Sequence, residues 1–126
     1  MQPIRQISEA HTVLISTARI ATHNSADMIT SGHKGGHIVI DMTAVPGVET
    51  VTFTVQGKDP LSGKYYTILA STAISATGTT VLKVFPGATA AANAAANDIL
   101  PETWRVACTH SASGSFTYSV GASLTA

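Results

Sequence analysis

The sequence predicts an all-β protein, an antiparallel β-sandwich of immunoglobulin-like or jelly-roll-like type with about seven strands. Three observations support this fold class. Residues 49–71 have the pattern of a β-hairpin. Turn residues recur along the chain at intervals of roughly 8 to 15 residues, as expected between short strands. No long helical pattern alternates with the strands, so a parallel α/β sheet is not expected.

The hairpin at residues 49–71 has the clearest pattern in the chain. From Val51 to Val55 every second residue is apolar and the residues between are threonines, which is typical of a strand buried on one face. Residues 57–63, GKDPLSG, provide glycine at both ends and an Asp-Pro bend. An aromatic return strand follows at residues 65–70. The same criteria predict further strands at residues 11–21, 37–43, 79–85, 103–111 and 115–122.

Residues 88–100, ATAAANAAANDIL, are the only stretch whose composition favours a helix. The two asparagines and the aspartate weaken that preference, so the sequence predicts one short Ala-rich helix or crossover between the two sheets. Residues 1–10 contain a proline and no sustained period, and they are predicted to form an N-terminal arm. Residues 11–126 then make a single sandwich domain.

Charge and composition predict which partners the protein lacks. The formal net charge is zero and no basic cluster occurs, so nucleic acid is not an expected partner. No apolar stretch approaches the roughly 20 residues needed to span a bilayer, and no signal peptide is recognised, so membrane contact is not expected either. Cys108 is the only cysteine, which excludes an intrachain disulfide. We expect synthesis in the cytoplasm without passage through an oxidising compartment.

No catalytic, metal-binding or cofactor-binding pattern is recognised, so the chain is predicted to be non-enzymatic and to bind no cofactor. His33 and His37 are four residues apart, but the glycines between them make a shared helical metal site improbable, and we interpret them as loop and strand-edge residues. Cys108 is in phase with Trp104 and Val106, which predicts a buried thiol instead of a nucleophile.

Two further side-chain groups have alternative interpretations. Tyr65, Tyr66 and Trp104 would form a sugar-binding platform if all three were exposed on one face. The alternative is that Trp104 anchors the core while one tyrosine points inward and the other outward. Arg105 alternates with the inward residues, so it is predicted to point outward and to pair with Glu102 or Asp98.

Four segments, in the order VTFTVQGKDPLSGKYYTIL, TTVLKVFPG, LPETWRV and FTYSVGASL, resemble a family of small proteins encoded among the virion genes of tailed bacteriophages. The resemblance covers about residues 36–124. It implies a structural role in the particle, as a capsid decoration (cement) protein. Its partners would be the major capsid protein of the same virion and further copies of the chain, for example in a trimer.

The near-zero charge argues against lining a packaged genome, so the outer face of the head is the expected location. Alternatives are a tail, baseplate or adaptor component of the virion, or a carbohydrate-binding β-sandwich module. The exposed arm and loops are predicted to make the contacts, through Ile4, Arg5, Ile7, His33, Lys34, His37, Lys58, Asp59 and Leu61.

Overall fold

The computed structural model describes residues 8–126, which form ten strands and contain no helix. The strands are β1 (Ser8–Arg19), β2 (His23–Asn24), β3 (Met28–Ile29), β4 (Gly35–Ala44), β5 (Val51–Lys58), β6 (Tyr65–Ala70), β7 (Gly78–Val84), β8 (Ala95–Ala96), β9 (Thr103–His110) and β10 (Phe116–Thr125).

The strands form two sheets that pack against each other. Sheet A has the order β1-β10-β4-β7-β8, and sheet B has the order β2-β9-β5-β6, with β3 also paired to β9. The strand pairs are antiparallel except for the short parallel pair β7–β8. The prediction of an all-β protein with two stacked antiparallel sheets is confirmed.

The predicted count of seven strands is wrong, because the described part of the chain has ten. Three of the ten, β2, β3 and β8, are only two residues long. A two-residue strand shows no period in the sequence, and β2 and β3 lie between the predicted strands at residues 11–21 and 37–43. They exist because the chain runs beside β9 and pairs with it at His23–Cys108 and Met28–Trp104.

The predicted Ala-rich helix is also wrong. Residues 88–100 form turns and the short strand β8. Asn93 adopts a positive φ of 61°, which ends any helix there, and its side-chain amide donates to the Ala70 carbonyl at 3.0 Å. The Asn97 side-chain oxygen accepts from the Gly87 N–H at 2.7 Å. Asparagine side chains that bond to distant backbone groups therefore outweigh the helix propensity of alanine, which has little apolar surface to bury.

The core lies between the sheets and follows the period-two pattern of the strands. Along β5 the buried positions alternate with partly exposed ones over all eight residues. The largest fully buried side chains come from both sheets: Trp104, Tyr118, Phe53, Phe116, Ile38, Ile40, Met42, Leu82 and Leu124. Complete burial of an apolar side chain of this size contributes about 1.5–3 kcal/mol relative to leaving it exposed.

Candidate functional site

The strand registers define two ends of the sandwich. At one end, here named the Ser8 end, Ser8 and Gly35 both pair with Thr125 in sheet A, and Lys58 pairs with Tyr65 in sheet B. At the other, the Arg19 end, Arg19 pairs with Phe116 in sheet A and Val51 pairs with His110 in sheet B. Each loop can therefore be assigned to one end.

Backbone hydrogen bonds join the two sheets at the Ser8 end. The Lys34 N–H donates to the Thr125 carbonyl at 3.0 Å, and the Lys34 carbonyl accepts from the Leu100 N–H at 2.8 Å. The Thr30 N–H donates to the Glu102 carbonyl at 3.0 Å. These bonds fix the loop before β4 against the segment that leads into β9.

Most of the predicted contact residues lie at this end. The structure brings His33 and Lys34, in the loop before β4, to the same end as Lys58, Asp59 and Leu61, in the β5–β6 hairpin. His37 lies near this end too, but it points outward from sheet A, where it pairs with Lys83 and Ser123. Ile4, Arg5 and Ile7 lie outside the described residues. The predicted arm, residues 1–10, overlaps β1 at residues 8–10.

The β5–β6 hairpin presents Leu61 on a well-bonded loop. Asp59 Oδ1 accepts from the Leu61 N–H at 2.9 Å, and Asp59 Oδ2 accepts from the Ser62 hydroxyl at 2.9 Å. Hydrogen bonds from the Leu61 N–H and from Ser62 lower the pKa of Asp59, so the carboxylate stays ionised and keeps these bonds. Leu61 itself is 96% exposed, and a shallow depression of about 480 Å³ lies along residues 58–63 and Thr103.

A polar network supports this hairpin from the outer face of sheet B. The Tyr65 hydroxyl donates to Asp27 Oδ1 at 2.6 Å and Lys58 Nζ donates to Asp27 Oδ2 at 2.9 Å. These two hydrogen bonds, led by the one from Tyr65, lower the pKa of Asp27, and the bond to Asp27 raises the pKa of Lys58. The network fixes the β2–β3 connection to the hairpin.

The predicted pairing of Arg105 with Glu102 or Asp98 is wrong. Arg105 points outward as expected, but its Nε donates to Gln56 Oε1 at 2.8 Å and its guanidinium lies 3.4 Å from the centre of the Tyr65 ring. Gln56 is the direct register partner of Arg105, and an outward side chain contacts its cross-strand neighbour before a residue beyond the strand.

Three titratable residues meet where β1 begins. Glu9 Oε1 lies 3.3 Å from His11 Nε2, and Glu9 Oε2 lies 3.7 Å from His33 Nδ1. His33 Nδ1 is also 2.7 Å from the Thr30 carbonyl oxygen. His33 therefore faces Glu9 while His37 faces outward from sheet A, and the two do not form a pair. Within residues 8–126, no three His, Cys, Asp or Glu side chains are arranged to hold a metal ion.

The interior of the Arg19 end contains a polar cluster that the sequence analysis missed. The Tyr118 hydroxyl lies 2.9 Å from His110 Nε2 and 3.4 Å from His23 Nε2. Burial, followed by the charges of His23 and Arg19, lowers the pKa of His110. Trp104, Val106 and Cys108 point inward at every second position of β9, and the same alternation places His110 inside as well. This alternation was the feature of the sequence from which a buried His110 could have been predicted.

Cys108 lies beside this cluster and is fully buried, as its phase predicts. Burial raises the pKa of its thiol to about 11, so the thiolate is scarcely populated at neutral pH. A buried protonated thiol is a poor nucleophile, and the structure gives Cys108 the environment of a core residue.

The three aromatic residues considered for sugar binding do not share one face. Trp104 is fully buried, the guanidinium of Arg105 covers one face of the Tyr65 ring, and only Tyr66 is about half exposed. Tyr66 packs against Gly57 and Pro101, at a different position from Tyr65. A flat aromatic platform is therefore not formed.

Comparisons with protein-family models, curated proteins and solved structures find no match for this chain. In residues 8–126 there is also no helix of the length and apolarity that crossing a membrane requires.

Proposed function

We propose that this protein is a non-enzymatic structural component of a tailed-phage virion, a decoration (cement) protein that binds the outer face of the head through the Ser8 end of the sandwich. The observation that carries the proposal is that two loops, residues 30–34 and 59–64, lie at the same end of the sandwich, the first of them beside the start of β1. We also propose that the sandwich is of immunoglobulin-like or jelly-roll-like type.

The Ser8 end has the properties of a docking surface. Leu61 is an apolar side chain that is almost fully exposed, and Lys58 and Asp59 place charges beside it. Protein–protein interfaces have an apolar centre surrounded by a polar rim, and Leu61 with its charged neighbours has that arrangement. Because hydrogen bonds already order the loop, little conformational entropy is lost on binding.

The order of the four sequence segments that resemble phage virion proteins supports a structural role in the particle, and the zero formal net charge supports the outer face of the head. The proposed partners are the major capsid protein and further copies of this chain. In a tail, baseplate or adaptor component the same surface would bind a different virion protein. The location of the protein on the particle distinguishes these alternatives from a decoration protein of the head. Sugar binding is less well supported, because Trp104 is buried and one face of Tyr65 is covered.

The proposal predicts that Leu61→Asp weakens binding to phage heads that lack the protein by at least about tenfold, because it places a charge at the apolar anchor. The matched control is Val48→Asp. Val48 is 97% exposed, but it lies in the β4–β5 loop at the Arg19 end. Both variants are measured by co-sedimentation with the heads, after circular dichroism has verified the fold.

Loss of binding in Leu61→Asp with normal binding in Val48→Asp is the expected result. Equal binding by both variants, or selective loss in Val48→Asp, would contradict docking through the Ser8 end. Failure of the unchanged protein to bind heads at all would refute the head location itself.

A further inference from the structure

We propose that the outer face of sheet A is a self-association surface, on which a second copy of this chain packs face to face about a two-fold axis. This surface is distinct from the Ser8 end, so the proposal is independent of binding to a phage head. The proposal depends on the outward side chains of β10, β4 and β7, which form three parallel rows across the sheet. What matters is which of these rows carries positive charge, which is apolar and which carries negative charge.

The outward positions follow from the buried ones. In β4, Ile38 and Ile40 are fully buried, and in β7 Leu82 and Val84 are fully buried, so the alternate residues point away from the core. The register places these outward residues in three rows across the sheet. The rows are Ser123, His37 and Lys83; Gly121, Val39 and Val81; and Ser119, Asp41 and Thr79.

The three rows differ in charge. The first row carries the ammonium group of Lys83 next to His37, the middle row is apolar, and the third row carries the carboxylate of Asp41. Neither Lys83 nor Asp41 forms an ion pair with any residue from 8 to 126. The face therefore presents separated, unpaired charges of opposite sign on the two sides of an apolar row.

This order is self-complementary. A two-fold axis that lies in the interface, perpendicular to the strands and along the middle row, reverses the strand direction in the second copy. Asp41 of each copy then lies opposite His37 of the other copy, with Lys83 one strand away within reach of its long side chain, and Val39 meets its own symmetry mate. Two equivalent charge contacts form around an apolar centre, which is a closed arrangement that limits assembly to a dimer.

The side chains on this face are small enough for close approach. Apart from His37 and Lys83, the three rows contain only serine, threonine, glycine, valine and aspartate. Stacked sheets pack about 10 Å apart when small and branched side chains fill the space between them. The outer face of sheet B is different, because the rings and long side chains of Tyr65, Arg105 and Lys58 project from it.

The size of the face predicts a weak dimer. Four strands spaced about 4.8 Å apart and seven to twelve residues long give a projected area of roughly 600 Å². Stable interfaces bury about 800 Å² per partner. We therefore expect a dimer whose fraction rises with concentration and falls with added salt, which screens the contacts at the rim.

Sedimentation equilibrium from about 10 µM to about 1 mM tests the proposal, since that range covers weak interfaces of this size. The unchanged chain should approach twice its monomer mass, and Asp41→Lys should raise the dissociation constant by at least about tenfold, because two like-charge contacts replace two attractive ones. Adding Lys83→Asp to Asp41→Lys should recover most of the lost affinity. The control is Asp98→Lys, an equal charge change at an exposed residue that lies outside these rows.

A chain that stays monomeric throughout this range overturns the proposal. So does an Asp41→Lys chain, shown by circular dichroism to be folded, that associates like the unchanged protein. If the control weakens association as much as Asp41→Lys, net charge is responsible and the proposed geometry is wrong. Loss of head binding by Asp41→Lys with unchanged self-association would assign this face to the capsid instead of to a second copy.

Discussion

Tyr118 and His110 form the most constrained polar contact of the interior. The hydroxyl of Tyr118 and Nε2 of His110 are 2.9 Å apart in a region closed by Phe53 and Phe116. Burial lowers the pKa of His110 and raises that of Tyr118, so both groups remain neutral around neutral pH. The native fold therefore binds a proton at His110 less readily than the unfolded chain does.

This difference predicts how His110 contributes to the pH dependence of stability. An unfolded histidine titrates at about pH 6.5. Below that pH the unfolded chain gains a proton that native His110 resists, so the free energy of unfolding should fall as the pH is lowered from 7.5 towards 5. Urea unfolding at several pH values measures this slope, and an NMR titration of the His110 ring assigns it.

The variant His110→Gln removes the titrating group and should flatten the slope, although it also perturbs the contact with Tyr118. A free energy of unfolding that rises between pH 7.5 and 5, or a His110 ring that titrates above pH 6.5, would contradict this reading of the cluster.

At the residue scale, the sequence predicts which way a side chain points better than what it contacts. The alternation in β9 correctly predicts that Trp104 and Cys108 point inward and that Arg105 points outward. The partner of Arg105 was not predictable, because Gln56 is 49 residues away in sequence and becomes a neighbour only through the β5–β9 register. The cluster of Tyr118, His110 and His23 also depends on pairings between distant segments.

The main chains of β4 and β10 approach each other so closely at Gly36 of β4 that no side chain fits at that position. A methyl group on Gly36 would overlap the carbonyl oxygen of Ser123, which belongs to the main chain of β10. The contrasting position is Gly121 in β10, where the nearest atom to an added methyl group is the His11 carbonyl oxygen at 3.8 Å, an ordinary contact distance.

We therefore predict that Gly36→Ala lowers the free energy of unfolding by about 3 kcal/mol, because a neighbouring main chain cannot move aside as a flexible side chain can. Gly121→Ala should change it by less than about 0.5 kcal/mol. Urea unfolding is measured at a concentration low enough for the chain to be monomeric. Equal effects of the two substitutions would show that the close approach at Gly36 does not limit the packing of sheet A.

The long strands were predictable as elements, whereas the short ones were not. The β5–β6 hairpin combines strict alternation with Asp-Pro and glycine turn chemistry, and its return strand is observed at the predicted residues 65–70. The Ala-rich stretch was misjudged because composition indicates local preference only. Asn93 and Asn97 bond to Ala70 and Gly87, and those contacts decide the conformation.

For the whole molecule, the order of the strands was the part that the sequence could not provide. β4 pairs with β10 and β7, and β9 pairs with β5, although none of these pairs is consecutive in the chain. Turn chemistry did indicate that Asp59 and Leu61 lie in the loop between β5 and β6, whereas Lys58, also predicted to be in that loop, is the last residue of β5 and pairs with Tyr65. That His33 and Lys34 reach the same end follows only from the hydrogen bonds of Lys34 to Thr125 and Leu100.

The two proposed surfaces have different roles, attachment to another protein at the Ser8 end and self-association on the outer face of sheet A. The Ser8 end presents an apolar residue among charges and suits attachment to a different protein, whereas the outer face of sheet A has charges in an order that complements itself. A chain with zero formal net charge avoids strong repulsion between copies, which favours dense placement on one surface. Leu61→Asp and Asp41→Lys should therefore affect different measurements.

Cryo-EM reconstruction of the virion in which we propose this protein to be a component is the decisive measurement for its location. We expect density for the sandwich at regular lattice positions on the outside of the head, with the loops at residues 30–34 and 59–64 directed towards the shell. Density confined to the tail or baseplate, or a head-bound sandwich that contacts the shell through the Val48 loop at the Arg19 end, would contradict it.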